Sequence, residues 1–311
     1  MSEFKRPEII RPPSEWRSYY LPLTAGCSNN TCTFCNSYGS KLQIRDVDDI
    51  KKEIDALALY MESNISLPEI HWIVYTVARE WDGERVFLQD GDALAYPFLK
   101  LKEILTYIHL KLPHVQRIAT YATTQDILRR SIDELKELRK LNLEILYIGL
   151  ETGSDELLKK IGKGVDSRQE IEVVHRAKEA GILTSVTVIL GIGGKENSKK
   201  HSLETAMVLS EMDPDYVGAL TLTLVPGTPL YQDWEAGKFS LITPFESLVE
   251  LVTILKNSSF TRCFFSSMHA SNYFSIRGTL PQDKEKMIAE LERIIQRGNE
   301  GLLRPEFLRG L

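Results

Sequence analysis

The chain has 311 residues, of which 43% are hydrophobic and 26% are charged, and its formal net charge is −5 at pH 7. This composition excludes a disordered chain, and no run of about 18 apolar residues is present that would cross a membrane. The net negative charge provides no basic field to attract a phosphate backbone, so nucleic acid is not an expected partner. The N-terminus lacks an apolar run before a small-residue cleavage site, so we expect a cytoplasmic protein with unpaired thiols and no membrane partner.

Strand and helix patterns alternate along the chain. A typical predicted strand, Ile145 to Leu150, is apolar at nearly every position, which indicates burial on both faces. With right-handed crossovers, the six strand-helix units predict an α/β fold, a partial (β/α)6 barrel whose functional groups lie at the carboxyl ends of the strands. Strands are predicted at 16–25, 85–89, 117–122, 144–150, 183–190 and 216–224, and helices at 46–63, 98–112, 125–141 and 199–212. The fourth strand is followed by a helical region that breaks at 162–164 and resumes through 180.

Three of the four cysteines, Cys27, Cys32 and Cys35, fall within nine residues directly after the first predicted strand. Thiolates at such spacing can converge on one inorganic centre, and thiolate ligands suit iron-sulfur clusters, zinc or copper. An ordinary four-iron cluster or a structural zinc needs four protein ligands, yet only Cys263 is left, 228 residues beyond Cys35. The triad therefore predicts a centre with one open position.

Other interpretations of the triad stay open at this point. The spacing Cys-x4-Cys-x2-Cys also matches the first three ligands of plant-type two-iron ferredoxins, in which case Cys263 is the distant fourth ligand of an electron-transfer protein. A zinc-binding module and a group of structural thiols are further alternatives. Against the carrier, the repeated strand and helix segments far exceed what a small electron-transfer protein needs.

Further motifs follow other predicted strands. They are Phe34 before the last cysteine, Asp90-Gly91-Asp92, Gly149-Leu150-Glu151-Thr152-Gly153-Ser154-Asp155 and Pro226-Gly227-Thr228-Pro229-Leu230-Tyr231. Together with the triad these motifs resemble the radical S-adenosylmethionine superfamily over residues 15–240, in the branch of oxygen-independent coproporphyrinogen oxidases, methylthiotransferases and elongator acetyltransferase subunits. The chain is most similar to short stand-alone members of that branch. One departure is that the first interval of the triad holds four residues, where the family usually has three.

The resemblance implies that Cys27, Cys32 and Cys35 bind three irons of a [4Fe-4S] cluster. The amino and carboxylate groups of S-adenosyl-L-methionine would chelate the fourth iron, which accounts for the missing protein ligand. An electron from a reductant such as flavodoxin or ferredoxin would then cleave S-adenosylmethionine to methionine and a 5'-deoxyadenosyl radical that abstracts a substrate hydrogen. The protein would orient the cofactor and exclude water.

The resemblance also implies contacts to S-adenosylmethionine. Asp90, Gly91 and Asp92 stand where the family has a turn near the methionyl amino group. Glu151 would meet the ribose hydroxyls or the amino group, and Lys163 stands where the branch commonly has an arginine for the methionyl carboxylate. Each has a structural alternative: a strand-to-helix turn, a helix cap or a solvated lysine. Weaker candidates, which are more often strand formers or packing residues, are Tyr121, Thr123, Thr187 and the backbone of Phe34.

We predict an N-terminal arm at 1–15, the barrel at 16–240 and a helical extension at 241–311 with helices at 245–255 and 284–295. A loop between those helices either covers the barrel mouth and binds substrate or serves as a helix connector. Its polar residues are His269, Asn272, Tyr273 and Arg277. Cys263 is expected to be a small buried hydrophobe rather than a radical partner.

The sequence does not identify the substrate. We find no cysteine-rich tail for a second cluster, no N-terminal domain for cobalamin and too little chain for an acetyltransferase domain. These features count against the methylthiotransferase, cobalamin methyltransferase and elongator reactions. Decarboxylation of a heme precursor stays open, although nothing outside the barrel points to a porphyrin.

Overall fold

The structure is a computed structural model that describes residues 4–36 and 42–310. The helices in these two ranges are all too short or too polar to cross a lipid bilayer. The chain divides into two compact units. The first combines Met1–Asn30, Tyr38–Tyr147 and Ala177–Leu183, and the second combines Thr31–Ser37, Ile148–Arg176 and Thr184–Leu311.

The first unit is built from parallel strands and the helices that follow them. Its strand order is β1, β4, β5, β6, with all three pairings parallel. The elements are β1 (Tyr19–Pro22), β2 (Thr24–Ala25), β3 (Gln43–Ile44), α1 (Val47–Ser63), α2 (Ile73–Glu80), β4 (Arg85–Gln89), α3 (Phe98–Lys111), β5 (Arg117–Tyr121), α4 (Thr124–Leu128), α5 (Ile132–Lys140) and β6 (Leu143–Glu151), which continues into the second unit after Tyr147.

Side chains on one face of the first unit's strands form an apolar cluster. Alternate positions of a strand point to opposite faces, so Phe87 of β4 and Ala119 of β5 meet there, while their neighbours face the helices. Ile9, from the segment before β1, packs against the same cluster. The segment therefore has its own contacts on the strands. The buried members are Tyr20, Phe87, Ala119, Ile145 and Tyr147.

The second unit continues the alternation and ends with an antiparallel pair. Strands β7, β8 and β9 are parallel neighbours, and β10 pairs with β9 in the opposite direction. Its elements are α6 (Asp155–Lys160), α7 (Ser167–Glu179), β7 (Leu183–Leu190), α8 (Gly194–Met212), β8 (Tyr216–Thr221), α9 (Pro229–Glu235), α10 (Pro244–Asn257), β9 (Cys263–Ser266), β10 (Arg277–Leu280) and α11 (Lys284–Arg297), and the boundaries of α7 and β7 extend slightly into the first unit.

The predicted alternation of strands and helices is confirmed, with local corrections. The helix predicted at 125–141 is two helices, because Ser131 and Glu134 form a capping box that starts α5. The first predicted strand, 16–25, is shorter and divided, because Thr24 and Ala25 pair with β3 instead of β4. The C-terminal segment contains the two predicted helices and also β9 and β10, four-residue strands too short for a clear pattern. The predicted domain boundaries remain predictions.

Candidate functional site

The loop with Cys27 follows β2 in the first unit. Gly26 has a φ of +88°, a conformation that favours glycine, and the loop turns there. The backbone N–H of Gly26 donates to Oδ2 of Asp90 at 3.2 Å, directly after β4. Cys27 itself is partly exposed. The carboxyl end of β4 therefore holds the backbone that immediately precedes the first cysteine.

Asp90 is a buried carboxylate with one oxygen that lacks a hydrogen bond. Its side chain is only 2% exposed, and within the described ranges no group donates to Oδ1. Burial raises the pKa of Asp90 to about 7, and the hydrogen bond from Gly26 only partly offsets that rise. An unsatisfied buried oxygen costs free energy unless a ligand supplies a donor. Asp90 is thus suited to accept from an ammonium or hydroxyl group.

Asp92 lies two residues further along the same turn, and its oxygens have protein partners. Oδ1 accepts from the backbone of Leu94, and Oδ2 accepts from the backbone and the hydroxyl of Thr123 at 2.9 and 2.7 Å. Burial and the neighbouring Asp126 raise the pKa of Asp92 well above its ordinary value. Burial also acts to raise the pKa of Asp126, but hydrogen bonds, from Asp92 first, lower it. The structure therefore gives Asp92 and Thr123 internal partners.

The other predicted contacts of the first unit lie at the same strand ends. Tyr121 is the last residue of β5, and its ring packs against Phe87 and Tyr147 at centroid distances of 5.2 and 6.0 Å. Burial and the charge of Asp90 both raise its pKa. Gly91 is buried between the two aspartates. Tyr121 combines an aromatic packing role with a position beside Asp90.

In the second unit, the segment with Cys32 and Cys35 is held by two turns. The backbone N–H of Thr33 donates to the carbonyl of Ile161 at 2.8 Å, and the Thr33 carbonyl accepts from Leu230 at 2.9 Å. Gly162 has a φ of +71°, and a Cβ there would lie 2.4 Å from the Thr31 carbonyl oxygen. Only glycine therefore allows the turn after α6 to approach the cysteine segment this closely.

Glu151 and Lys163 form an ion pair after β6. Lys163 Nζ donates to Glu151 Oε1 at 3.1 Å, and both side chains are about nine-tenths buried, with 13% and 12% exposed. Burial lowers the pKa of Lys163, but the charges of Glu151, Glu170 and Cys32 outweigh it and raise the pKa above the ordinary value. Lys163 is therefore not a solvated lysine, and Cys32 is among the charges that act on its ammonium group.

The Gly-Leu-Glu sequence has a steric reason in this unit. Glu151 adopts a φ of +64°, which is unusual for a residue other than glycine, and its carboxylate folds back over Gly149. A Cβ at Gly149 would lie 2.1 Å from Glu151 Oε1. The glycine is therefore what leaves room for the carboxylate beside Lys163.

Buried polar residues that the sequence analysis did not identify hold the turns after β6 and β7. His201 of α8 contacts the Thr152 hydroxyl through Nδ1 at 2.8 Å, and Glu250 of α10 accepts from the Gly191 backbone at 2.7 Å. Burial lowers the pKa of His201 to about 4 and raises that of Glu250 to about 7. His201 Nε2 lies 3.8 Å from Glu250 Oε2. These residues match no motif, since their partners come from distant parts of the chain.

Phe34 and Thr187, two of the weaker candidates, both lie in the second unit. Phe34 packs against an apolar cluster that includes Ile192 and Leu222. Thr187 lies in the middle of β7, paired with Gly218, three residues before the strand ends at Leu190, so the prediction that it sits at a strand end is wrong. The side chain of Phe34 thus serves packing, whereas its backbone is still a candidate for ligand contact.

A cavity of about 300 Å³ opens at the carboxyl ends of β7 and β8, within the second unit. Leu222, Leu224 and Leu241 line it and also belong to the apolar cluster against which Phe34 packs. Tyr231 and Trp234 form an aromatic wall, with ring centroids 5.4 Å apart. The cavity therefore neighbours the segment between Cys32 and Cys35.

The predicted substrate loop has mixed roles. The Asn272 amide donates to the carbonyls of Ala219 and Ser267, so this residue is a buried connector. Tyr273 lines the cavity, and its hydroxyl donates to Glu306. His269 and Arg277 are not among the residues that line the cavity. His269 contacts the Ser271 hydroxyl, and burial lowers its pKa. Arg277 is exposed at the start of β10.

Cys263 lies at the opposite edge of the second unit's strands from the cysteine segment. It is the buried first residue of β9, and Phe264 pairs with Tyr216, the first residue of β8. The cysteine segment instead contacts Leu230, which follows the carboxyl end of β8. Six residues of strand separate these edges, on the order of 17 Å. This separation counts against Cys263 as a fourth ligand.

Within residues 4–36 and 42–310, no three His, Cys, Asp or Glu side chains are grouped to hold a single metal ion. A four-iron cluster does not need such a group, since each thiolate binds a different iron.

A family model described as the radical SAM superfamily matches residues 21–206. The chain is 24% identical over 219 residues to the heme chaperone HemW of Bacillus subtilis (strain 168), across 65% of this chain and 57% of that protein. It is 25% identical over 215 residues to a tRNA-2-methylthio-N(6)-dimethylallyladenosine synthase of Sulfurihydrogenibium sp. (strain YO3AOP1), across 68% and 44%. The chain thus spans about half the length of these relatives.

Among solved structures, the chain is similar to coproporphyrinogen III oxidase (HemN) from Escherichia coli. The TM-score is 0.54 at 16% identity, over 78% of this chain and 52% of that one. This likeness concerns the fold alone, and it confirms the predicted α/β fold class.

Proposed function

The chain belongs to the radical SAM superfamily, and from this premise we propose that it reductively cleaves S-adenosyl-L-methionine at a [4Fe-4S] cluster held by Cys27, Cys32 and Cys35. The observation that carries the proposal is the buried, unpartnered Oδ1 of Asp90, on the turn that holds the backbone next to Cys27. A ligand with an ammonium group supplies the donor that this oxygen lacks. The three thiolates suit the iron-sulfur cluster.

The remaining contacts follow from charge and position. We assign the methionyl amino group to Asp90 and the Gly91 backbone, and the methionyl carboxylate to Lys163, whose ammonium is already close enough to Cys32 to be influenced by its charge. Glu151 accepts from ribose hydroxyls or the amino group. Tyr121 lies beside the amino-group site, and the Phe34 backbone faces the adenine edge. Among the proposed cofactor contacts, Thr187 has the least support, because it lies in the middle of β7.

When bound, the cluster and S-adenosylmethionine supply the electron transfer and the 5'-deoxyadenosyl radical of the reaction. The chain's own residues orient the cofactor: Lys163 neutralises a carboxylate, and Asp90 accepts from an ammonium. The aliphatic side chains around Phe34 exclude water from one side of the cysteine segment.

The substrate is unidentified, and we propose that it reaches the 300 Å³ cavity at the ends of β7 and β8. Tyr273 lines this cavity, which supports a substrate role for the segment after β9. We further propose a cytoplasmic protein that receives electrons from a flavodoxin or ferredoxin. Whether S-adenosylmethionine is consumed or regenerated depends on the substrate.

An electron-transfer protein with Cys263 as fourth ligand, or a zinc-binding module, is the alternative function. The position of Cys263 at the amino ends of β8 and β9 counts against the first. A zinc module would retain stoichiometric zinc after anaerobic isolation and show no visible absorption.

The test is anaerobic reconstitution with iron and sulfide, followed by dithionite reduction with S-adenosylmethionine and detection of 5'-deoxyadenosine by mass spectrometry. We expect product from the parent chain and none from Cys32→Ala. Cys263→Ala is the matched control and is expected to keep the cluster and the product. Loss of the cluster in Cys263→Ala would instead favour the electron carrier, and bound zinc without iron would favour the binding module.

A further inference from the structure

The turn after β4 contacts the cysteine loop on both sides of Cys27. On one side, the Gly26 backbone donates to Asp90 Oδ2 at 3.2 Å. On the other side, the Ser28 hydroxyl donates to Asp92 Oδ2 at 3.3 Å. The residues before and after the first cysteine are therefore both bonded to carboxylates two positions apart on one turn.

Both carboxylate oxygens of Asp92 already accept hydrogen bonds from the protein. Its Oδ2 receives the Thr123 backbone, the Thr123 hydroxyl and the Ser28 hydroxyl, and its Oδ1 receives the Leu94 backbone. Each carboxylate oxygen has about two lone-pair sites, so three donors crowd Oδ2, while Oδ1 receives one donor. The side chain is also fully buried, with 0% exposure. A role for Asp92 must therefore act through Ser28 and Thr123.

Thr123 connects the same group to α4. It is the N-cap of that helix, and its hydroxyl lies 3.2 Å from the Ser28 hydroxyl and 3.0 Å from Asp126 Oδ2. Ser28 thus faces Asp92 in the turn after β4, Thr123 just after β5 and Asp126 of α4. Strands β4 and β5 are buried, parallel neighbours, so the segments that follow them move little relative to each other.

We propose that Asp92 and Thr123 are positioning residues that fix Cys27 through the Ser28 hydroxyl. We name the three residues Ser28, Asp92 and Thr123 the Asp92 network. This inference rests on the proposed function, in which Cys27 binds iron and Asp90 binds the methionyl amino group. The network sets the distance between those two contacts, because Cys27 and Asp90 are held by the same turn. An error of about 1 Å in such a distance is enough to impair a preorganised site.

Two readouts test the network. In the reconstituted, reduced protein, the electron paramagnetic resonance spectrum of the cluster is recorded with and without S-adenosylmethionine, and its affinity is obtained by titration. In the cluster-free protein, amide hydrogen exchange is measured across Gly26 to Ser28. For Ser28→Ala we expect roughly tenfold weaker binding of S-adenosylmethionine, an altered spectrum, and roughly tenfold faster exchange.

Ser28→Thr keeps a hydroxyl and is expected to restore the parent values. Asp92→Asn should change the affinity, the spectrum and the exchange rate more than Ser28→Ala does. If Asp92→Asn does not fold, the comparison of Ser28→Ala with Ser28→Thr still tests the network. Thr120→Val is the matched control, because its buried hydroxyl on β5 bonds to Leu88 and Tyr121 but not to the loop.

Parent-like spectrum, affinity and exchange in Ser28→Ala would overturn the network, as would equal changes in Thr120→Val. A parent chain that assembles a cluster without cleaving S-adenosylmethionine would count against the proposed function instead. In that case the exchange comparison in the cluster-free protein still decides the network.

Discussion

The turn after β4 and the turn after β6 both carry acidic side chains at the carboxyl ends of buried strands, but they satisfy them differently. In the first, Oδ1 of Asp90 has no hydrogen bond among the described residues, while both oxygens of Asp92 accept from protein donors. In the second, Glu151 is paired with Lys163 and held over Gly149.

The difference shows which groups are prepared for a ligand. A buried oxygen without a donor destabilises the folded chain, and such costs concentrate at functional sites. The ion pair between Glu151 and Lys163 lowers the cost of burying the carboxylate before any ligand arrives. A bound ligand should therefore lower the cost of burial more for Asp90 than for Glu151. Three substitutions test this contrast.

Lys163→Met should destabilise the chain more than the other two substitutions. It leaves the Glu151 carboxylate buried without its cation, and breaking such a pair costs about 3 kcal/mol. The double variant Glu151→Gln with Lys163→Met should lose less than the single variant, since the uncompensated charge is gone. Urea unfolding of the cluster-free protein measures both.

A surface pair provides the control for Lys163. Lys102 bonds to Glu137, and both side chains are more than two-fifths exposed. Lys102→Met should leave the free energy of unfolding nearly unchanged, because an exposed ion pair contributes little to stability. If Lys163→Met is equally mild, Lys163 does not stabilise Glu151 and the contrast between the two turns fails.

Asp90→Asn should stabilise the chain and weaken cofactor binding. The folded pKa of about 7 lies above the ordinary 3.8, so the folded chain binds more protons between these values and loses stability as the pH rises through them. Removing the charge should recover up to about 3 kcal/mol at pH 8 and nothing near pH 4. Binding of S-adenosylmethionine should weaken roughly 10- to 100-fold.

Unfolding across pH 4 to 8, together with a binding titration, measures the two effects of Asp90→Asn. Asp82→Asn is a control of opposite sign. Burial raises the Asp82 pKa, but hydrogen bonds from Glu84 and Arg85 outweigh it and hold the pKa low, so this variant should lose stability at pH 8. A destabilised Asp90→Asn with unchanged affinity would contradict the role given to Asp90.

Gly149→Ala should have the smallest effect on stability. The new Cβ displaces the far end of the Glu151 side chain rather than backbone, so the free energy of unfolding should fall by about 1 kcal/mol while the affinity for S-adenosylmethionine falls several-fold. Gly218→Ala on β8 is the matched control, since its Cβ would meet nothing nearer than 3.9 Å. Equal affinity in both variants would remove Glu151 from the cofactor site.

The sequence by itself determined the alternation of strands and helices, the cysteine triad and the acidic turns. These features are local: a strand or helix period shows within about ten residues, and the three thiols lie on nine consecutive positions. The same locality explains one error, since Ser131 divides a helix that periodicity alone joins.

Only the tertiary structure decided which carboxylate has a free oxygen. Asp90 and Asp92 look equivalent in the sequence, but their partners lie 64 residues away at Gly26 and 31 residues away at Thr123. The direction of β9 likewise placed Cys263 at the edge opposite the cysteine segment. Hydrogen-bond satisfaction depends on contacts between distant segments, which no local pattern encodes.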